Sequence, residues 1–99
     1  MYDSDKWMII KLKDGYKVFA SSAGGYLDGD SWRLNSGITE IEDKGKAYYI
    51  HGESGSIYRC MKEDYGVAGG YNANVLRKLM EMGAESMSEG GEWRELINE

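Results

Sequence analysis

The sequence predicts an α+β fold in which an antiparallel meander of five strands, able to curl into a half-open barrel, precedes one or two C-terminal helices. Through residue 66, short runs rich in β-branched and aromatic residues alternate with turns that carry Gly and Asp, the pattern of consecutive hairpins. After Gly69-Gly70 the apolar spacing lengthens from two residues to between three and four, the period of an amphipathic helix. The 99 residues suit a single domain, with residues 1–66 as the sheet and residues 67–99 as the helical segment.

The first hairpin pairs Trp7-Met8-Ile9-Ile10-Lys11-Leu12 with Tyr16-Lys17-Val18-Phe19-Ala20-Ser21 across Lys13-Asp14-Gly15. Asp-Gly between two such runs predicts a type I′ turn, which requires positive φ at both central residues. Residues 22–30, with three glycines and two aspartates, read as a loop. Trp32-Arg33-Leu34-Asn35 and Ile38-Thr39-Glu40-Ile41-Glu42 read as one strand, and a bulge at Gly37 would restore the register of Leu34, Ile38 and Ile41. Asp43-Lys44-Gly45 turns into the strand at residues 46–51, and Gly52-Glu53-Ser54-Gly55 turns into the strand at residues 56–62.

Beyond the glycine pair, Val75, Leu76, Leu79 and Met80 share one helical face, with Asn72 or Asn74 as N-cap and Gly83 as the stop. Ser86-Met87-Ser88-Glu89 has capping-box spacing, and Trp93, Leu96 and Ile97 recur at helical intervals, so a short second helix is expected. Trp7, Tyr48 and Tyr58 are expected in the core, because the chain has one Phe and few Leu to fill it.

An apolar run such as residues 7–10 is far shorter than the ~20 residues that span a bilayer. The acidic opening Met1-Tyr2-Asp3-Ser4-Asp5 is unlike the basic start of a signal peptide. Cys60, the lone cysteine, has no disulfide partner within the chain. Together these predict a cytoplasmic protein that does not engage a membrane.

Most catalytic and metal chemistries find too few residues. His51 is the single histidine, and His51 with Cys60 supplies two of the four ligands a structural zinc needs. A Cys–His nucleophile pair is formally available on adjacent strands, although a buried thiol and a strand-end histidine explain both residues. Asp28-Gly29-Asp30-Ser31 begins like a calcium loop, but the twelfth position is Thr39 in place of the bidentate Glu. Residues 52–56 have the composition of a nucleophile elbow without its final Gly or its strand-to-helix setting. The glycine pairs lack the Lys-Ser/Thr partner of a phosphate loop. No catalytic residue, cofactor or metal is therefore expected.

Charge placement is more informative than the net charge of −5. Acidic and basic residues balance at 11 each through Lys78, and Glu81, Glu85, Glu89, Glu92, Glu95 and Glu99 then face Arg94 alone. Such a segment attracts basic surfaces and repels nucleic acid, or it solvates the outside of a helix. Eight tyrosines and three tryptophans supply interface-type side chains. Tyr26 and Trp32 flank the first glycine-rich loop, and Tyr65 and Tyr71 flank the second. The loop at residues 24–32 is either a binding loop or a plug for the open end of a barrel. The candidate partner-binding residues are Tyr26, Asp28, Asp30, Trp32, Tyr71, Glu81, Glu85, Glu89 and Glu92.

Two resemblances bear on function. Ile10-Lys11-Leu12-Lys13-Asp14-Gly15 and Tyr49-Ile50-His51-Gly52 resemble the two conserved segments of Sm-like RNA-binding barrels, without that family's basic helix or the Arg of its Ile-Arg-Gly element. Gly29-Asp30-Ser31-Trp32-Arg33-Leu34-Asn35-Ser36-Gly37-Ile38 and residues 51–66 resemble the small accessory proteins of bacteriophages, which are short, acidic, rich in Gly and Tyr and without catalytic residues. That second resemblance implies host-takeover or anti-defence work, including anti-CRISPR inhibition. The expected function is a non-catalytic protein-binding module, in its sharpest form an inhibitor of a nucleic-acid-handling defence complex. It would act by occlusion or acidic charge mimicry on a protein partner with a basic surface, without binding nucleic acid directly. The alternatives are a small-molecule or nucleotide binder acting as a sponge, and an Sm-like RNA-binding barrel.

Overall fold

Ile9-Ile10 and Val18-Phe19 are adjacent pairs with every member fully buried. Successive strand residues point to opposite faces, so the hairpin that carries them has to be covered on both sides. The computed structural model, which describes residues 1–25 and 29–98, shows how this is done. Strands β1 (Tyr2–Asp3), β2 (Lys6–Leu12), β3 (Gly15–Gly25), β4 (Gly29–Leu34), β5 (Ile38–Asp43), β6 (Ala47–Gly52) and β7 (Ile57–Met61) are followed by helix α1 (Gly70–Glu81), strand β8 (Glu85–Ser86), a 3₁₀ turn (Glu92–Leu96) and strand β9 (Ile97–Asn98). They form a four-stranded sheet I in the order β4-β3-β2-β8 and a five-stranded sheet II in the order β1-β7-β6-β5-β9. Sheet I is antiparallel throughout, whereas both edge strands of sheet II run parallel to their neighbours.

The fold is therefore α+β and mostly antiparallel, but it is neither a five-stranded meander nor a half-open barrel. One core lies between the sheets, where Trp7, Ile9, Val18 and Ala20 meet Ile41, Tyr48, Ile50, Tyr58 and Cys60. A second core lies on the far side of sheet I, where Ile10 and Phe19 meet Leu76, with Val75 and Leu79 packed against them. Trp7, Tyr48 and Tyr58 are buried as expected.

The largest correction falls at residues 32–42. The segments at 32–35 and 38–42 belong to different sheets, so Gly37 marks a crossing where a bulge was expected. Asn35 closes the sheet I ladder by donating its N–H to Val18 O (3.3 Å) and accepting the Val18 N–H on Oδ1 (2.8 Å). Gly37, at φ +136°, then steps the chain across, and a Cβ there would press on the Glu53 carboxylate at 3.1 Å. Of the expected loop at residues 22–30, the described residues are strand, with Gly24 and Gly25 in β3 and Gly29 and Asp30 in β4. The Asp14-Gly15 hairpin forms, but Asp14 keeps negative φ and Gly15 alone turns positive, so the turn is not type I′.

The C-terminal segment departs furthest from expectation. Gly69 occupies the N-cap of α1 with no side-chain cap bond. Asn72, expected as a cap, is buried in the first turn and donates Nδ2 to Ala68 O (2.8 Å) and Ser22 O (3.1 Å), tying the helix to β3. Asn74, the other candidate cap, is exposed, and so is Met80, which leaves Val75, Leu76 and Leu79 as the packed stripe. No second α-helix forms among the described residues. Ser86 pairs with Ile10 in β8, so it cannot cap, and Met87 donates its N–H to Ile9 O. The helical recurrence of Trp93, Leu96 and Ile97 becomes a 3₁₀ turn that inserts Trp93 between the sheets before β9 pairs with β5. Trp93 meets Trp7 and Tyr48 edge-on, each at 5.8 Å between ring centroids, and donates Nε1–H to Ser88 O at 2.8 Å. Trp93→Ala is expected to lower stability by about 3–5 kcal/mol. Met80→Ala, at an exposed position, should change it by less than about 0.5 kcal/mol, and urea unfolding of both variants against the parent measures the contrast.

Candidate functional site

Asp30, Trp32 and Leu34 alternate on the face of β4 that turns toward α1. Leu34 packs into the second core. Trp32 stacks on Phe19 at 5.7 Å and 19° between planes, yet remains 41% exposed. It therefore lies over the second core's margin and plugs no barrel end. Asp30 accepts the Gly24 N–H on Oδ1 at 2.9 Å, and a Cβ on Gly69 would lie 2.9 Å from its Oδ2. The close approach of this carboxylate, together with φ +79°, explains the glycine at the N-cap of α1. Two residues on, Tyr71 projects from the first turn of α1 and is 59% exposed. Strand β4 and the start of α1 thus meet at Asp30 and Gly69 and carry an exposed aromatic on each side of that junction. Tyr26 and Asp28 lie outside the described residues.

The acidic candidates are not part of this junction. Glu81 ends α1, Glu85 lies in β8 directly opposite Lys11, Glu89 sits in the following turn, and Glu92 opens the 3₁₀ turn. All four are exposed, but on four different segments in place of one helical face. Strands β4 and β8 are opposite edges of sheet I, so Asp30 and Trp32 are separated from Glu85 by its full width. Arg77 and Lys78 on the exposed side of α1 and Lys13 beside Glu85 interrupt the negative charge.

The Cys–His pair does not form. Cys60 pairs with Tyr48 and faces the inter-sheet core, whereas His51 lies an odd number of residues along β6 and faces outward. Burial pushes the Cys60 thiol well above the usual cysteine range, which suppresses the thiolate that nucleophilic chemistry needs. His51 Nε2 lies 2.5 Å from Glu42 Oε1, and Lys44 Nζ lies 3.2 Å from Glu42 Oε2. Sequence reasoning misses this cluster because the register shift between Ile38 and Glu40 decides which β5 residues face His51. Residues 52–56 form a hairpin turn between β6 and β7, as expected. The two segments that resemble Sm-like barrels lie in different sheets, one in sheet I and one in sheet II. Among the described residues, no group of three or more His, Cys, Asp or Glu is placed to hold a metal, and no helix is long and apolar enough to cross a membrane.

The chain matches no family model, no curated protein and no solved structure. Its chemistry is therefore read from its own geometry.

Two measurements check that geometry. Cys60 should resist a thiol-alkylating reagent at neutral pH until denaturant opens the fold, and rapid labelling of the native protein would contradict its burial. Hydrogen bonds from His51 and Lys44 hold the Glu42 carboxyl below its ordinary pKa. A group depressed in the folded state contributes stability above its unfolded pKa and loses it as pH falls through the folded value. Glu42→Gln should therefore flatten the acid limb of a melting-temperature profile below about pH 4.3, and an acid limb identical to the parent's would contradict it.

Proposed function

We propose that this protein is a non-catalytic binding module that covers a surface of a protein partner, in its sharpest form a nucleic-acid-handling complex of a host defence system. The observation that carries the reading is the pair of exposed aromatics, Trp32 and Tyr71, on the two elements that meet at Asp30 and Gly69. Tyr and Trp dominate binding hot spots because they bury large area at little cost in side-chain entropy. Trp32 is pre-ordered by its stack on Phe19, so little freedom is lost when a partner covers it. The resemblance of residues 29–38 and 51–66 to phage accessory proteins supplies the class of partner.

The acids of residues 81–92 take a different part in this reading. Exposed and spread over the end of α1, β8, the turn after it and the 3₁₀ turn, they act through their field on approach to a basic partner, where charge governs association rate more than final affinity. Direct contact belongs to the aromatic junction.

The test is co-purification from a bacterial host, followed by binding kinetics with whichever stoichiometric partner is retained. Tyr71→Ala, at an exposed position, should weaken affinity by at least about tenfold with the melting temperature nearly unchanged. Replacing Glu85, Glu89 and Glu92 with Gln should slow association and flatten its salt dependence while leaving dissociation alone. Unaltered affinity in a Trp32→Ala/Tyr71→Ala double variant would place the interface elsewhere.

A further inference from the structure

The groove where β4 leaves sheet I holds an unsatisfied hydrogen-bond donor, and its surroundings identify what would satisfy it. Asn35 is 3% exposed. Its Oδ1 accepts the Val18 N–H at 2.8 Å, so turning the amide over would set NH₂ against N–H. The amide orientation is thereby fixed, and Nδ2 points away from β3. Both of its hydrogens lack an acceptor among the described residues, which is a costly arrangement for a buried amide.

Two hydroxyls converge on the same place. A Cβ on Gly52 would lie 3.0 Å from Ser36 Oγ, 3.0 Å from Ser56 Oγ and 3.4 Å from Asn35 Nδ2. A bare α-carbon is what lets these three groups gather. Ser36 Oγ accepts the Ser54 N–H at 2.8 Å and donates to Ser54 Oγ at 3.1 Å. Ser54 Oγ lies 3.3 Å from Ser56 Oγ. Either hydroxyl of that last pair can be the donor, so the Ser56 proton is free to turn toward a stronger acceptor. The 3.3 Å contact is long for a hydroxyl pair and so costs little to break.

Arg33 lines the same groove, of about 320 Å³, with Tyr2 and Tyr58. Its guanidinium lies over the Tyr2 ring, 3.9 Å from the centroid, and makes no ion pair among the described residues. No carboxylate lines the groove. Glu53, the acid of the adjoining turn, packs against Gly37. In a chain of net charge −5, this is a carboxylate-free recess offering a cation, an amide NH₂ and a hydroxyl.

We propose that this groove binds a phosphate group, with Arg33 balancing its charge and Asn35 and Ser56 fixing its oxygens. The donors come from β4, from the crossing after it and from the β6–β7 turn, and an anion admitted where the long Ser54–Ser56 contact parts would meet a guanidinium, an amide NH₂ and a hydroxyl together. The site shares no residue with the aromatic junction, so the two readings stand or fall separately.

The experiment is an amide NMR titration of the full chain with inorganic phosphate at constant ionic strength, chloride serving as the control salt. The Asn35 side-chain NH₂ pair and the backbone amides of Ser54 and Ser56 should shift saturably with phosphate and not with chloride. Arg33→Gln and Ser56→Ala should each weaken binding by about tenfold or more with the spectrum otherwise native. Asn35→Asp, which keeps an acceptor for Val18 but replaces the donors with an acceptor, should abolish binding. Adenosine monophosphate identifies the source. Tighter binding than phosphate, with shifts reaching Tyr2 and Tyr58, assigns a nucleotide, and equal binding assigns free phosphate. Shifts that fail to saturate, or that are the same in chloride, would overturn the proposal, as would unchanged affinity in both Arg33→Gln and Ser56→Ala.

Discussion

A hairpin whose neighbouring residues are all apolar cannot rest on one core, and the rest of the molecule follows from that constraint. Ile9 and Val18 look toward sheet II, while Ile10 and Phe19 look toward α1. Burying one such side chain fully is worth about 1.5–3 kcal/mol, so neither face can be left to solvent. The chain after β3 must supply a second sheet and a helix within the remaining residues. It does so by sending β4 along the hairpin, crossing at Asn35, Ser36 and Gly37, and returning with α1 after β7.

Crossing between layers forces polar groups indoors, and two asparagines meet that need differently. Asn72 ties α1 to the backbone of β3 and Ala68 through its NH₂, with its Oδ1 buried and unpaired among the described residues. Asn35 ends the β3–β4 ladder through its Oδ1 and leaves its NH₂ facing the Gly52 turn. The open seam between the sheets is closed from the other side by the C-terminal segment. There Tyr65 accepts the Ile9 N–H and donates to Met87 O, and Trp93 fills the gap. That arrangement explains why Glu85 lies on a sheet edge and Glu89 and Glu92 beyond it: the segment that carries them is held by backbone pairing to β2 and by one buried tryptophan.

Both surfaces proposed to bind lie at the two ends of β4. At one end Asp30 meets the start of α1, and at the other Asn35 meets the β6–β7 turn. An edge strand that hands the chain from one layer to another has neighbours on unrelated elements, and side chains distant in sequence can converge there. A strand at the centre of sheet I has both faces committed to packing and no such freedom.

Local patterning was enough to establish the antiparallel hairpins around Gly15, Gly45 and residues 52–55 and the amphipathic helix, and the shortage of Phe and Leu pointed to the burial of Trp7, Tyr48 and Tyr58. The hairpins and the helix depend on neighbours a few residues away. Sheet membership does not. Alternation shows which residues share a face, but nothing local says that residues 32–35 and 38–42 pair with different partners. Strands β8 and β9 are two residues each, too short to carry a period, so Ser86 reads as a cap and Trp93 as part of a helix until their long-range partners are known. The candidate site divides in the same way. Tyr71 could be singled out from its place beside the second glycine pair, whereas the meeting of Asp30 with Gly69, the scattering of the acids and the gathering of Asn35, Ser36 and Ser56 over Gly52 were decided by tertiary structure alone. Those contacts are made by backbones brought together across layers, and the sequence spacing of the residues involved carries no trace of that distance.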